Sequence, residues 1–199
     1  MPTIRITQKI QKEIGVKPAD LVQIEESNVP FAEWYAHVFV INRKKQVIFV
    51  ERQTLFSFAC EDVSRKDLRE RLPGLFQKGL GKALFVEGVS GELVKQVMDA
   101  CRGEIRFAKT QDRRTIGAMN EFVKSHKDSF VYHGRPSVLR DRLNHYMPVR
   151  GFPEIKKHDF AIDVFARVVK ERFELDFVPY KEDFMSKVFA DSDYMDFSR

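Results

Sequence analysis

Two apolar segments on either side of a short polar turn form the clearest hydrophobic pattern in the chain. They read EWYAHVFVI at residues 33–41 and QVIFVE at residues 46–51, and NRKK lies between them. β-Branched and aromatic residues dominate both segments, which predicts two antiparallel strands joined as a hairpin. Because both strands are apolar on two faces, we expect the sheet to be covered on both sides.

Three shorter segments extend the predicted sheet. TIRIT at residues 3–7 and EIRFAKT at residues 104–110 alternate as strands do. TLFSFAC at residues 54–60 is compatible with a strand or with the first turn of a helix, because seven residues do not separate the two periods.

Helical spacing fills the rest of the pattern. We expect a helix from Gln8 to Ile14 that Gly15 ends, and a second helix that Ser64 and Asp67 cap. Pro73 is expected to interrupt that second helix or to start the next one. Further helices are predicted at residues 91–101, at residues 112–124, after Pro136, and at a last helix capped by Asp159. Irregular mixing of strands and helices predicts an α+β fold, a small mostly antiparallel sheet packed against several helices.

This organisation suggests one domain with an extension. We expect an α+β domain at residues 1–150, a helical extension packed on the same domain at residues 151–189, and a mobile acidic tail at residues 190–199. The tail, ADSDYMDFSR, has little apolar content to bury.

A glycine lies inside the helix predicted for KTQDRRTIGAMNEFVK, residues 109–124. Asp112 is placed to cap this helix, and at about 100° per residue the apolar side chains share one side. The flank beside them holds four residues at the spacing of neighbouring turns: Arg113, Gly117, Asn120 and Lys124. Arg114 adds a second positive charge at the start of the helix.

The glycine costs about 0.5–1 kcal/mol relative to alanine, so we expect another group to approach it closely. In one interpretation another element packs over Gly117 and Ala118, and Arg113 pairs with a carboxylate. In the other, a ligand or a phosphate rests in the notch. The candidate binding residues of the second interpretation are Arg113, Arg114, Gly117, Asn120 and Lys124.

Charge supports a basic face in the middle of the chain. Residues 102–157 carry 13 Lys/Arg and 6 Asp/Glu, whereas residues 1–101 carry 15 and 13, and residues 158–199 carry 6 and 10. Such a concentration is typical of a surface that meets phosphate or carboxylate, and also of a solvated basic surface. The residues available for phosphate contact are Arg102, Arg106, Lys109, Arg113, Arg114, Lys124, Lys127, Arg135, Arg140, Arg142 and Arg150.

Common catalytic and cofactor motifs fail on their spacing. In GLFQKGLGK, residues 74–82, Phe76 stands where a phosphate loop needs its first glycine, and Ala83 replaces the hydroxyl that would hold Mg²⁺. Cys60 and Cys101 lack the paired spacing of a zinc site, and no Gly-x-Ser-x-Gly elbow exists. We therefore expect no metal and no cofactor, and we name no catalytic residue.

Three segments resemble a bacterial domain family of unknown function. They are IRITQKIQKEIG, HVFVINRKKQVIFVERQTLFS and FAKTQDRRTIGAMNEFV, in the expected order over roughly residues 3–150. The family's Asn-Arg-Ser/Thr-x-x-Gly-Ser-Met-Asn pattern would fall on residues 113–120, where Arg113 replaces the usual Asn and Ala118 the usual Ser. The resemblance implies a fold unit and favours this stretch as a site, but it implies no reaction.

The leading hypothesis is a non-enzymatic intracellular binding module whose basic face engages a polyanion such as RNA or DNA. One alternative is an enzyme that binds a small phosphorylated or carboxylated substrate at the flank of Arg113, Gly117, Asn120 and Lys124. Another is a protein-interaction module, one form of which lets the acidic tail cover the basic face. The first residues lack the apolar run of a secretory signal, and no run is long enough to span a bilayer, so we expect a cytoplasmic location without membrane contact.

Overall fold

The fold was analysed in a computed structural model that describes residues 1–133, 143–146 and 159–179 of the 199-residue chain. The predicted tail at residues 190–199, the helix start at Pro136 and the basic residues Arg135, Arg140, Arg142 and Arg150 lie outside these residues. The described strands are β1 (Thr3–Ile6), β2 (Glu33–Ile41), β3 (Lys44–Glu51), β4 (Ser57–Cys60) and β5 (Arg106–Lys109). The described helices are α1 (Gln8–Ile14), α2 (Arg65–Val86), α3 (Gly91–Ala100), α4 (Arg113–His133), α5 (Leu143–Tyr146) and α6 (Ala161–Phe173).

The five strands form one sheet in the order β4-β3-β2-β1-β5. The predicted hairpin is confirmed as β2 and β3, which pair antiparallel from Trp34 and Glu51 to Ile41 and Lys44. The ambiguous segment before residue 60 forms the edge strand β4, antiparallel to β3. β1 pairs parallel with both β2 and β5, because α1 and the long loop after it return the chain to the starting end of the sheet. The α+β class is confirmed, and the sheet is mixed.

Helices cover both faces of the sheet, as the two-sided apolar strands predict. The ring of Phe76 on α2 packs edge-on against Trp34 of β2 and Phe49 of β3. The ring of His126 on α4 packs against Phe39 of β2. Trp34 and Phe39 are an odd number of residues apart, so their side chains point to opposite faces. The sheet therefore separates α2 from α4.

A buried ion pair joins the parallel strands. Arg5 of β1 donates to the carboxylate of Glu33 on β2, and both side chains are 1% exposed. The same guanidinium donates to the carbonyl of Lys109, at the end of β5, over 2.8 Å, and to the carbonyl of Ile24 over 3.1 Å. Glu33 also accepts the backbone N–H of Ser27. One side chain thus fixes β1, β2, β5 and the loop after α1.

Two helix predictions are wrong in detail. Pro73 does not interrupt α2, which continues from Arg65 to Val86 with the proline inside it. Pro73 is exposed, so water can satisfy the carbonyl that the missing N–H leaves free. The last helix begins at Ala161 after Phe160, and Asp159 does not cap it but pairs with Arg167 over 2.7 Å.

The C-terminal helix α6 completes the aromatic core. Its Phe165 ring lies 5.5 Å from the ring of Phe31, just before β2, and 4.7 Å from that of Phe56, just before β4. All three rings are buried. Arg172, near the end of α6, donates to the carbonyl of Pro30. Helical spacing predicts an apolar stripe of Ile162, Phe165, Val169 and Phe173 on this helix. The first three are buried and form the inward face of α6, and Phe173 is partly buried.

Close packing at Gly79 yields a stability prediction. A Cβ at Gly79 of α2 would lie 2.6 Å from the ring of Phe58 and 2.7 Å from the sulfur of Cys60, whereas a Cβ at Gly81 would meet only the end of Met98, at 4.0 Å. We expect Gly79→Ala to lower the free energy of unfolding by about 1–3 kcal/mol because the β4 side chains must move. Gly81→Ala is the matched control and should raise it by up to about 1 kcal/mol. Urea denaturation measures both, and equal effects would contradict the packing argument.

Candidate functional site

Helix α4 is held to the sheet at its first turn. The backbone N–H of Asp112 donates to the phenolic oxygen of Tyr35 over 3.1 Å. The Asp112 carboxylate accepts the backbone N–H groups of Arg114 and Thr115, and the Thr115 hydroxyl donates to it over 2.6 Å. The predicted cap at Asp112 is therefore confirmed. Burial raises the pKa of Tyr35 to about 12, so its hydroxyl stays neutral at physiological pH.

Opposing effects act on the Asp112 carboxyl. Burial disfavours its charged form, but the hydrogen bonds from Thr115 and from the backbone of Arg114, together with the charge of Arg52, outweigh burial and lower the pKa of Asp112. The folded protein therefore prefers the ionised carboxylate. The first turn of α4 depends on that charge for its anchoring.

The buried side of α4 matches the sequence pattern. Met119, Phe122, Val123 and His126 face the core, and Thr115 is fully buried at the first turn. Burial lowers the pKa of His126 to about 4, so the ring is neutral. These contacts fix which side of α4 faces outward.

The five predicted binding residues lie together on the exposed side of one helix. Each of them is solvent-exposed: Arg113, Arg114, Gly117, Asn120 and Lys124. At about 100° per residue, four of them form a single line along α4, and Arg114 lies about a quarter turn away. We call the line of Arg113, Gly117, Asn120 and Lys124 the α4 flank. Within the part of the chain that the structure describes, Arg113 and Lys124 form no ion pair.

The expected close approach to Gly117 is not found. A Cβ added at Gly117 would meet no described atom within 4 Å. The packing interpretation, with another element over Gly117 and Ala118 and an ion pair at Arg113, is therefore wrong for the described residues. The physical reason is orientation: the sheet contacts the Met119 and Phe122 side of α4, and Gly117 lies on the side turned away from it.

Positive charge continues from the α4 flank to the start of α1. His37 of β2 is half-buried, and its Nδ1 lies 3.1 Å from the Thr7 hydroxyl. Burial, and after it the positive charges of Lys9 and Lys127, lower the pKa of His37 to about 4. Lys127 lies about one helical turn beyond Lys124 on α4 and is exposed. Sequence analysis did not include Lys9 in the basic face. Lys9 comes near His37 and Lys127 only because β1 pairs parallel with β2, and this pairing has no local pattern in the sequence.

Other predicted basic residues contribute less to this surface. Arg102 is exposed but lies 3.2 Å from Asp99, and Lys109 is exposed at the end of β5. The Nε atom of Arg106 is buried without a hydrogen-bond partner among the described residues. Of the predicted basic residues, those that are exposed and form no ion pair among the described residues are Lys109 and, on α4, Arg113, Lys124 and Lys127.

Two cavities occur elsewhere on the described surface. One, of about 450 Å³, lies between β4 and α2; the other, of about 430 Å³, lies beside α1 and includes Lys12, Lys17 and Lys109. The α4 flank lines neither of them.

The two cysteines have the properties of core residues. Burial raises the pKa of Cys60 to about 11 and that of Cys101 to about 12, so neither is a thiolate at neutral pH. Among the described residues, no group of three His, Cys, Asp or Glu side chains could hold a metal ion. In the same residues, no helix is long and apolar enough to cross a bilayer.

Gly117 offers a direct stability test of the open flank. We expect Gly117→Ala to raise the free energy of unfolding by about 0.5–1 kcal/mol, because alanine favours the helix and its methyl group meets nothing. Thermal and urea denaturation measure the change. A loss of stability would mean that another group approaches Gly117 after all, and Gly74→Ala, also in a helix with open space around it, is the matched control.

Acid titration tests the anchor of α4. A carboxyl whose pKa is lowered by folding stabilises the protein above its ordinary pKa, near 3.8, and loses that contribution as the pH falls through the folded value. We therefore expect Asp112→Ala to cost about 1 kcal/mol at neutral pH and progressively less between about pH 5 and pH 3. Urea denaturation of both proteins across this range measures the difference. A difference that does not depend on pH would assign the cost to packing.

Comparison with known proteins gives one match. The model of the domain of unknown function DUF6933 matches residues 3–160, which include all five strands and helices α1 to α5. No curated protein and no solved structure matches the chain significantly.

Proposed function

Because the chain belongs to the DUF6933 family, whose description assigns no activity, we propose from its geometry that it is a non-enzymatic module that binds a polyanion such as RNA or DNA through the α4 flank. One observation carries the proposal. Arg113, Asn120 and Lys124 form an exposed line on a helix that the sheet holds rigidly, with no ion pair at either charge among the described residues.

The length of the flank favours a polymer over a small molecule. Arg113 and Lys124 are separated by 11 positions, or about 16 Å along the helix axis at 1.5 Å per residue. One phosphate group does not reach both ends of such a line, whereas successive phosphates of a nucleic acid do. Lys127 and Lys9 continue the positive charge beyond the line. The surface is thus suited to a chain of negative charges.

Each residue type of the flank has a physical role in this proposal. The planar guanidinium of Arg113 can hold a phosphate through two parallel hydrogen bonds, and Lys124 adds a point charge. Gly117 leaves the helix backbone accessible between them. Asn120 can donate to a phosphate oxygen or to a base edge.

Evidence for the enzyme alternative is weaker. A small phosphorylated or carboxylated substrate needs a concave site, and the α4 flank lines neither described cavity. The flank holds no histidine, carboxylate or cysteine side chain that could act as a general base. The proposal also includes a cytoplasmic location, which the two unpaired thiols of Cys60 and Cys101 support.

Salt-dependent binding tests the proposal. Fluorescence anisotropy should show labelled single-stranded RNA or duplex DNA binding to the full chain, with affinity that falls steeply as salt rises. Replacing Arg113 and Lys124 together by Ala should weaken binding and reduce the slope of log affinity against log salt by about one unit for each phosphate contact removed.

A matched control separates the α4 flank from net charge. Lys66 and Lys95 are exposed on α2 and α3, and replacing both by Ala removes the same charge from another surface. We expect this variant to bind almost as the unaltered protein does. Absence of binding at low salt, or equal weakening by the two double variants, would overturn the proposal.

A further inference from the structure

At the outer edge of β4, the side chain of Asn144 forms the two backbone hydrogen bonds that a neighbouring strand would form. The amide oxygen of Asn144, on α5, accepts the backbone N–H of Ser57 over 2.8 Å, and its nitrogen donates to the Ser57 carbonyl over 3.0 Å. Glu87 accepts the second Asn144 amide proton over 3.0 Å, which fixes the orientation of the group. Both backbone groups of Ser57 therefore point away from β3 and already pair as they would in a wider sheet.

The next outward position of β4 is open among the described residues. In an antiparallel pair, backbone groups point alternately toward and away from the partner strand. Because Ser57 points outward, the backbone groups of Ala59 do so as well, whereas the carbonyl of Phe56 accepts the backbone N–H of Glu51 on β3 over 2.8 Å. Ala59 is half-buried and lines the cavity between β4 and α2. The cavity therefore borders a strand edge that no described residue pairs at Ala59.

This cavity has the form of a groove. Its walls are β4 from Ser57 to Glu61, about 13 Å at 3.3 Å per residue, and α2 from Leu75 to Val86, about 16 Å at 1.5 Å per residue. Gly79 keeps α2 close to β4, because it has no side chain between the helix and Phe58. We call this space of about 450 Å³ the β4 groove.

The groove combines positive charge with exposed apolar surface. Lys78 and Lys82 line it from α2, both exposed, against one acidic residue, Glu61. Neither lysine forms an ion pair among the described residues. At the end of α2, Val86 lines the groove at 41% exposure, and its neighbour Phe85 is 80% exposed. An occupant therefore needs acidic and apolar side chains.

His126 supplies a second, independent sign of a missing partner. It lines the β4 groove from α4 at 3% exposure, and its Nδ1 has no hydrogen-bond partner in the part of the chain described. Buried polar atoms are normally satisfied, so a group that enters the groove can supply this hydrogen bond.

We propose that the β4 groove binds an extended acidic segment of another protein, which adds to the sheet at Ala59 and places its acidic side chains near Lys78 and Lys82. Strand addition uses backbone hydrogen bonds for affinity and alternate side chains for selectivity. Three features favour this occupant over a compact ligand: the elongated shape, the two lysines, and the backbone groups of Ala59, which pair with no described residue and which a compact ligand would leave unpaired. The proposal is independent of the α4 flank, because none of the flank residues lines the groove.

Defined peptides test this proposal on the full chain. The probe is a short, end-capped peptide of alternating valine and glutamate, and binding is followed by amide chemical shifts up to about 1 mM peptide. We expect shifts centred on Ser57–Glu61. The same peptide with alternate backbone nitrogens methylated cannot pair as a strand on one edge, and should bind at least about tenfold more weakly. A valine and lysine peptide should not bind.

Protein variants test the same contacts from the other side. We expect the double variant Lys78→Glu and Lys82→Glu to bind the acidic peptide at least about tenfold more weakly. The control variant, Lys66→Glu and Lys95→Glu, makes the same charge change away from the groove and should leave the affinity for the peptide unchanged. Ala59→Pro should also abolish binding while the fold persists, because the N–H that it removes does not pair with β3.

Several outcomes would overturn the proposal. Equal binding of the methylated peptide would exclude strand pairing, and equal weakening by both lysine pairs would exclude contact at the groove. Slow hydrogen exchange at the Ala59 amide in the free, monomeric protein would show that the chain covers its own edge. Dimerisation that protects the same amide would assign the groove to a second copy of the chain.

Discussion

The ion pair between Arg5 and Glu33 is the interaction on which the rest of the structure depends. A buried charge is costly unless it is paired and hydrogen-bonded, and this pair meets that condition only when three strands and a loop are in register. The two terminal nitrogens of the Arg5 guanidinium donate hydrogen bonds to the carbonyls of Lys109 and Ile24. A shift of β5 by one residue would remove an acceptor and leave a buried cation unsatisfied. The pair therefore selects one arrangement of the parallel strands.

That selection determines where α4 begins. The chain leaves β5 at Lys109, whose carbonyl Arg5 holds, and three residues later the N–H of Asp112 meets the hydroxyl of Tyr35. The direction and rotation of α4 follow from these two contacts and from its buried face. Arg113, Asn120 and Lys124 consequently project from a rigid support, so an anion would meet them without the entropic cost of ordering a loop.

The sequence was sufficient for elements whose signals are local. The hairpin of β2 and β3, the cap at Asp112 and the inward stripe of α6 follow from alternation, side-chain chemistry and helical spacing. The parallel pairing of β1 was not predictable, because it depends on Arg5 and Glu33, which are 28 residues apart. The expected contact at Gly117 was not found because a helical wheel predicts which side of α4 is apolar but not whether another element covers the flank beside it. Asn144 gave no signal either, since its strand-like role needs the edge of β4 beside it.

The position of Phe165 gives the folding unit a boundary different from that of the family match. The match ends at residue 160, one residue before α6 begins, yet Phe165 packs on Phe31 and Phe56. A polypeptide cut at residue 160 would contain every strand that the structure describes and would still expose the rings of Phe31 and Phe56 to water, a surface that promotes self-association. Poor solubility of such a fragment would then result from the loss of α6 from the core and would give no information about the ligand. Recombinant work on this protein should therefore retain the chain through at least Phe173.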